Sequence, residues 1–364
     1  MQMNQDHQAA VARQFQIDGE LSAVAHYGTG HINDTFRVVF ERSGVQRPMI
    51  LQRINHNIFK NPVALMTNIE RVTTHVAAQV ANQPDASRRA LNLIRTLDGD
   101  PFHRDQEGNW WRMYQFVERA RSYDAVETPR QAYQAAFAFG QFQQHLATLP
   151  APRLHDTIPD FHNTPKRFAA LEAAVASDAF NRAIEAAPEI AFALAHQPIA
   201  GVLLNANLPE RVTHNDTKFN NVLLDDQTDE GLCVIDLDTV MPGLALYDFG
   251  DMVRTATSPA AEDERDLSRV IMRMPIFESL ARGYFAAAGS FLTPAEKQSL
   301  ALSGKLITYE IGLRFLTDYL AGDTYFKTHR PGQNLDRCRT QFRLVQSIEE
   351  QEETMQRAVD SIGQ

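Results

Sequence analysis

Between residues 21 and 54 apolar and polar positions alternate, first in AVAHY, then TFRVVF, then MILQRI, with the short polar link GTGHIND between the first two. A period of two marks strands with one buried face, so an antiparallel sheet that opens on a hairpin is expected. Asn61 before Pro62 supplies a cap and a first helical position, and Met66, Ile69, Thr73, Val76 and Val80 then recur at helical spacing. Two more strands are expected around the turns DGD at 98–100 and EGN at 107–109, the last being WWRMYQFV. From Thr128 and Pro129 onward the pattern is mostly helical, through Tyr133, Phe137 and Leu146, and again after the cap pair Thr164 and Pro165. Within that region NVLLD and CVIDLD, separated by DQTDEG, have the spacing of a hairpin. The chain therefore reads as α+β with two lobes: a small antiparallel sheet with one helix over 1–117, and a larger, mainly α lobe over 118–364, joined near Gln115 to Ser122.

Composition narrows the function. At 364 residues the chain exceeds the usual single-domain range. Its formal charge of −10 argues against a nucleic-acid or anionic-membrane surface, which needs a basic patch. Cys233 and Cys338 lie far apart, as reduced thiols in a cytoplasmic protein would. No segment is expected to reach the roughly 20 apolar residues of a membrane helix, and neither heptads nor a long apolar stripe compel more than a monomer or weak dimer.

The chemistry concentrates in VTHNDTKFNNVLL, residues 212–224. As a surface turn, Asn and Asp there would serve their own backbone. Asp216, however, precedes Asn221 by five positions, and Asp236 follows in the apolar strand after the hairpin. An HxDxxxxN loop followed by a metal-binding aspartate is the order of parts in a kinase-like phosphotransferase. An attacking hydroxyl needs a proton acceptor, which would be Asp216; Mg²⁺ needs hard oxygen ligands, which Asn221 and Asp236 would supply. Asp238 is expected beside Asp236 on the same side of an extended chain. Lys218 would offset charge on the transferred phosphoryl group, and His214 would hold the loop backbone. In YGTGHINDTF, Gly28 and Gly30 sit in a hairpin, so a Rossmann or Walker reading fails its structural test. With the loop downstream they form a lid over ATP phosphates, with His31 and Asn33 at its tip, and the backbone of the segment holding Gln115 and Val117 would bond the nucleotide base.

Through HNDTKFNN and VIDLDTVMPGLALYDFGD the sequence resembles the aminoglycoside phosphotransferase and choline kinase group. Through ILQRIN, RMYQFVE, FHNTPKRF and GLRFLTDYLAGDTYF it is similar, within that group, to bacterial kinases that phosphorylate the anomeric hydroxyl of N-acetylhexosamines. The resemblance implies ATP and Mg²⁺, Asp216 as base, Asn221 and Asp236 on the metal, His31, Arg314 and Tyr325 on the sugar, and Asp248 bracing the catalytic loop. One departure stands out: where many kinases of this fold place a lysine on the third strand, this chain has Gln52 beside Arg53, and Arg53 should face away. The missing charge is expected from Lys218 and the metal, Gln52 taking the lysine's place in the nucleotide site and Glu70 reading as a solvated helix residue. Glu310, Arg314 and Asp318 are four apart, which suits surface ion pairs, yet Ile311, Leu313, Phe315, Leu316 and Leu320 around them predict a buried helix whose polar stripe lines a cleft. His162 reads equally as a sugar contact or a cap-region hydrogen bond. An amine-bearing acceptor is the rival substrate, and a catalytically inactive nucleotide-binding scaffold is the rival of another class.

Overall fold

The computed structural model describes residues 5–28 and 32–363. Its N-terminal sheet comprises β1 (Glu20–His26), β2 (Asp34–Arg42), β3 (Val45–Ile54), β4 (Leu93–Ile94), β5 (His103–Arg104) and β6 (Trp110–Gln115), ordered β1-β2-β3-β6-β4 with β5 also on β6. All the pairings are antiparallel. Alternation sorts the side chains: Phe36, Val38, Phe40, Met49, Leu51, Trp111 and Met113 share one core face. Helix α1 (Gln5–Ala12) covers that face with Val11 and Ala12. Its sequence, QDHQAAVA, has too few apolar positions to announce it, and the sequence reading did not include it.

The opposite face turns toward α2 (Pro62–Val80) and the second lobe. Asn61 caps α2, its side chain accepting from Ala64 N at 3.1 Å, and Leu65, Met66, Ile69, Val72 and Val76 are buried as their spacing predicts. On this face the register places Thr35 opposite Gln52 and Gln52 opposite Arg112.

Beyond Val117 the chain enters a different sheet, β7 (Ala120–Arg121) with β9 (Val222–Asp225) and β10 (Gly231–Val234), while β8 (Arg211–Thr213) pairs with β11 (Met241–Gly243). The β9–β10 hairpin is the one its turn residues predict. Around these pack α3 (Pro129–Leu146), α4 (Thr164–Ser177), α5 (Ala187–His196), α6 (Val202–Asn205), α7 (Ala245–Ala256), α8 (Met274–Ala288), α9 (Pro294–Gln298), α10 (Leu300–Leu320), α11 (Gln333–Glu349) and α12 (Glu352–Ile362). A Cβ at Gly140 or Gly283 would collide with the facing helix, so these glycines set the close approach of α3 and α8. The cap of α4 is Asn163, accepting from Lys166 N, one residue before the expected Thr164.

One expectation is corrected outside the site. The run Ala187–Asn205 is long and apolar enough by composition to pass the test for a membrane span, with mean hydropathy 1.3. Here it is broken at Pro198 into α5, a 3₁₀ turn and α6, with Leu194, Val202 and Leu204 exposed.

Candidate active site

The catalytic loop begins where β8 ends. Asn215 is left-handed, with φ 66°, a conformation Asn tolerates and that must be held from outside. Buried Asp248 on α7 does this: its carboxylate accepts from His214 N at 2.9 Å, Asn215 N at 2.7 Å and Gln143 Nε2 at 2.5 Å. Asn215 adds Nδ2 bonds to Thr213 O at 3.2 Å and Thr239 O at 2.9 Å. The His214 ring lies edge-on to Phe139 and Phe142. Its Nδ1 accepts from Asp216 N at 3.3 Å, so Nε2 carries the proton given to Ile235 O at 2.9 Å. His214 therefore holds backbone on both sides of the hairpin, as its place in the motif predicts.

Asp216 follows, half-buried, with Lys218 Nζ 3.0 Å from its carboxylate and Asn221 Nδ2 2.8 Å from its backbone carbonyl. Desolvation works to raise this carboxyl, but the Lys218 ammonium, helped by His214 and Arg254, brings it below the ordinary carboxylate value. Asp216 is thus ionised at neutral pH, and Lys218 is pushed up to about 12 in return.

Asp236 is left-handed too, with φ 59°, and starts a 3₁₀ turn over Leu237–Thr239. Its carboxylate has no hydrogen bond or ion pair to any described residue. Desolvation, then the charges of Asp238 and Asp216, push it up to about 6. Asn221 spends its Nδ2 on Asp216 and leaves Oδ1 without a protein donor among the described residues. Two hard oxygens without protein donors, one anionic and beside further negative charge, fit a magnesium ion.

Asp238 does not match its expected role. Because the chain leaves the extended path at Asp236, Asp238 turns inward, where its carboxylate is held by Arg112 Nη1 and by Asn33 Nδ2 at 2.6 Å. Each oxygen already carries a protein donor and the side chain is 4% exposed, so in this structure Asp238 serves as an anchor between the lobes. The same bond removes Asn33 from the expected phosphate or acceptor contact, since its Oδ1 also receives Asn55 N at 3.0 Å.

Gln52 is corrected similarly: its Nε2 donates to Thr35 Oγ1 and its Oε1 accepts from Arg112 Nε, each at 3.0 Å, so the amide serves the sheet and not the nucleotide. Arg53 points to the other face and pairs with Asp34 at 2.8 Å, as alternation predicts. Glu70 pairs with Arg95, not with β3. Gln115 donates its amide to Asn92 O at 2.9 Å and lines a cavity of about 740 Å³ with Gln16, Asp18 and Arg47, away from the catalytic residues. Val117 keeps both backbone polar groups without a partner among the described residues. Gly28, with φ 77°, ends the β1 arm of the turn, whereas Gly30 and His31 lie outside the described residues.

The acceptor-side residues sit on and after α10. That helix is buried almost all round, which rules out the surface ion-pair account of its polar stripe. Glu310 accepts from Thr164 Oγ1 at 2.5 Å and pairs with His162 Nδ1 at 2.8 Å, and His162 Nε2 lies 3.2 Å from Asn215 O. His162 is thus a cap-region residue that ties α10 to the catalytic loop. Asp318 accepts from the amides of Tyr325 and Phe326 at 2.7 and 2.9 Å, shaping the turn that presents Tyr325. Arg314 pairs with neither acid. Its guanidinium is framed by the rings of Phe161 at 5.0 Å, Phe326 at 5.6 Å and Tyr325 at 5.8 Å, with no hydrogen bond among the described residues. Arg314 and Tyr325, which share the stretch GLRFLTDYLAGDTYF, meet across the turn that ends α10.

Arg112 is the residue the sequence reading missed. It stood inside RMYQFVE as one more strand position, and the only available signal was a charged residue in an otherwise apolar strand that faces Gln52.

The architecture matches solved small-molecule kinases from end to end. A microcompartment-associated aminopropanol kinase aligns over 97% of this chain and 98% of its own, with TM-score 0.58 and 15% identity. A spectinomycin phosphotransferase, solved with ADP and spectinomycin, aligns over 97% and 99%, with TM-score 0.60 and 11% identity. Choline kinase from Cryptosporidium parvum Iowa II aligns over 98% and 99%, with TM-score 0.55 and 14% identity. At these identities the likeness shows the protein-kinase-like fold. The family is shown by the sequence itself: residues 24–297 match the model of the phosphotransferase enzyme family, and this chain belongs to that family.

Proposed function

We propose that the protein transfers the γ-phosphoryl group of ATP to the anomeric C1 hydroxyl of an N-acetylhexosamine, N-acetylglucosamine or N-acetylgalactosamine, giving the sugar 1-phosphate and ADP. The observation that carries the acceptor class is Arg314, a cation framed by aromatic rings and without an acidic partner among the described residues. A protonated amine would meet this positive charge, while the nearby acids Glu310 and Asp318 are already satisfied by His162, Thr164 and backbone amides. A neutral sugar offers hydroxyl and carbonyl oxygens to the guanidinium, and apolar ring faces to Phe161 and Tyr325.

In this reading Asp216 receives the hydrogen bond of the C1 hydroxyl, orients that oxygen toward the γ-phosphorus and takes its proton as the new P–O bond forms and the bond to ADP breaks. The anomeric hydroxyl is more acidic than an ordinary alcohol, which suits a carboxylate held ionised beside Lys218. Lys218 is half-exposed and flexible enough to exchange Asp216 for the transferred phosphoryl oxygens. Asn221 and Asp236 would hold Mg²⁺, whose charge would offset that of the phosphate oxygens. Val117 would bond the base through its backbone. A panel of N-acetylglucosamine, N-acetylgalactosamine, choline, aminopropanol and an aminoglycoside, read by ADP release with Mg·ATP, tests the assignment. Release with an N-acetylhexosamine alone supports it; release only with an amine transfers the site to that class.

A further inference from the structure

Gln52 occupies the third-strand position from which a lysine normally holds the nucleotide phosphates, and its amide is spent on Thr35 and Arg112. The cation of this region lies directly opposite, on β6. Arg112 is paired in register with Gln52, its side chain is 1% exposed, and it donates to Gln52 through Nε and to Asp238 through Nη1. The Tyr114 ring lies 5.4 Å from its guanidinium. Asp238, 4% exposed, is gripped on its other oxygen by Asn33, which follows the glycine turn and is fixed in turn by Asn55 N. Two residues upstream of Asp238 is Asp236, joined to it by a tight turn that leaves little slack.

A buried ion pair is poor evidence of stabilisation, because taking both charges out of water costs about what their attraction returns. What such a pair fixes well is position, and Arg112–Asp238 fixes the Asp236 turn of one lobe against the sheet of the other. The helix of the nucleotide lobe makes a second tie without a glutamate: Asn68 Nδ2 on α2 donates to Val240 O at 3.2 Å, just beyond the same turn. Glu70, the residue a third-strand lysine would pair with, faces Arg95 instead.

We propose that Arg112 is a positioning residue for phosphotransfer: a buried cation, displaced one strand from the usual lysine site, that holds Asp238 and thereby sets Asp236 in register for Mg·ATP. An arginine suits this place because its planar fork reaches Gln52 and Asp238 together, which a lysine ammonium does not. The inference rests on phosphotransfer from ATP and is independent of which acceptor is used.

The experiment compares Arg112→Gln, Arg112→Lys and the relocated-charge variant Arg112→Gln/Gln52→Lys in the full chain, by turnover on the acceptor the wild type prefers and by the shift in melting temperature with Mg·ADP. Arg112→Gln is expected to lower kcat on the order of 10²-fold, the scale of a misplacement of about 1 Å. It should also diminish the Mg·ADP shift, while acceptor KM stays within about twofold. Arg112→Lys should fall between it and the wild type, and Gln52→Lys should restore about tenfold of the lost turnover. A structural role alone predicts a lower melting temperature with kcat and the Mg·ADP shift kept, and that result overturns the proposal. Should Arg112→Gln fail to fold, the neutralised pair Arg112→Gln/Asp238→Asn leaves no buried charge unpaired; the same kinetic loss supports the proposal and wild-type turnover overturns it. Because the Mg·ADP shift needs no acceptor, it separates failure of this inference from failure of the sugar assignment.

Discussion

The loop that holds Asp216 and the polar stripe of α10 are joined through His162 but are built by opposite rules. In the loop the residues that shape the backbone are bonded within the protein: Asp248 holds two backbone amides, His214 bonds on both sides of the hairpin, and Asn215 is bonded through both side-chain atoms. On α10 the acids are satisfied internally and the cation Arg314 lies among rings with no hydrogen-bond acceptor among the described residues. The difference divides the labour of the site. In the proposed reading, groups that would stand still during phosphoryl transfer are fixed before substrate arrives, whereas the group proposed to recognise the acceptor keeps its hydrogen bonds for it. His162 joins the two regions through Glu310 and Asn215 O, so acceptor-side packing also sets the loop.

The largest expected effect follows from removing the base while keeping the loop. Asp216→Asn should retain the fold and the Mg·ADP-induced rise in melting temperature, yet lose roughly 10² to 10⁴ in turnover; unchanged steady-state turnover removes Asp216 from the chemistry. Next, Asp248→Asn turns one of the two carboxylate oxygens into a donor facing the backbone amide it had accepted from, and kcat should fall about 10²-fold through misplacement of Asp216. If this variant raised only the acceptor KM, the pre-fixed character of the loop would be wrong. On the other side, Arg314→Met should raise acceptor KM about tenfold with kcat little changed, the loss of roughly one charged hydrogen bond. A fall in kcat with KM unchanged would move Arg314 into the loop's class.

The smallest effect concerns the link. Desolvation works to raise the Glu310 carboxyl, but His162, by charge and hydrogen bond, and then Thr164 and Arg314 hold it below its ordinary 4.5. The unfolded chain binds that proton more readily, so this contribution to stability is complete above pH 4.5 and is lost as pH falls through the lowered folded value. Melting temperature should therefore fall more steeply below about pH 4.5 in the wild type than in Glu310→Gln, and parallel acid limbs would contradict the link.

Much of this was legible before the structure, and the exceptions share a cause. The strands at 20–54, the helix capped by Asn61, the β9–β10 hairpin and the backbone contacts of His214 follow from local pattern, because alternation, caps and motif spacing act over a few residues, whereas the bracing by Asp248 was implied only by the family resemblance. The buried character of α10 was legible from its apolar flanks. Asp238 was misplaced because a left-handed residue at Asp236 broke the extended path on which the face assignment depended. Gln52 and Asn33 were misjudged because their partners, Arg112 on a neighbouring strand and Asp238 in the other lobe, are distant in sequence, and no local spacing encodes such contacts. Helix α1 was missed because its packing rests on Val11 and Ala12 alone.

The most direct test of the central claim is a phosphorus NMR spectrum of the protein with Mg²⁺, ATP and an N-acetylhexosamine, reading the coupling of the new signal to the sugar protons. Transfer to C1 predicts a phosphate signal split by the anomeric proton, growing as ATP is converted to ADP. ATP left intact with both sugars, while an amine-bearing acceptor gives a new phosphate signal under the same conditions, would contradict it.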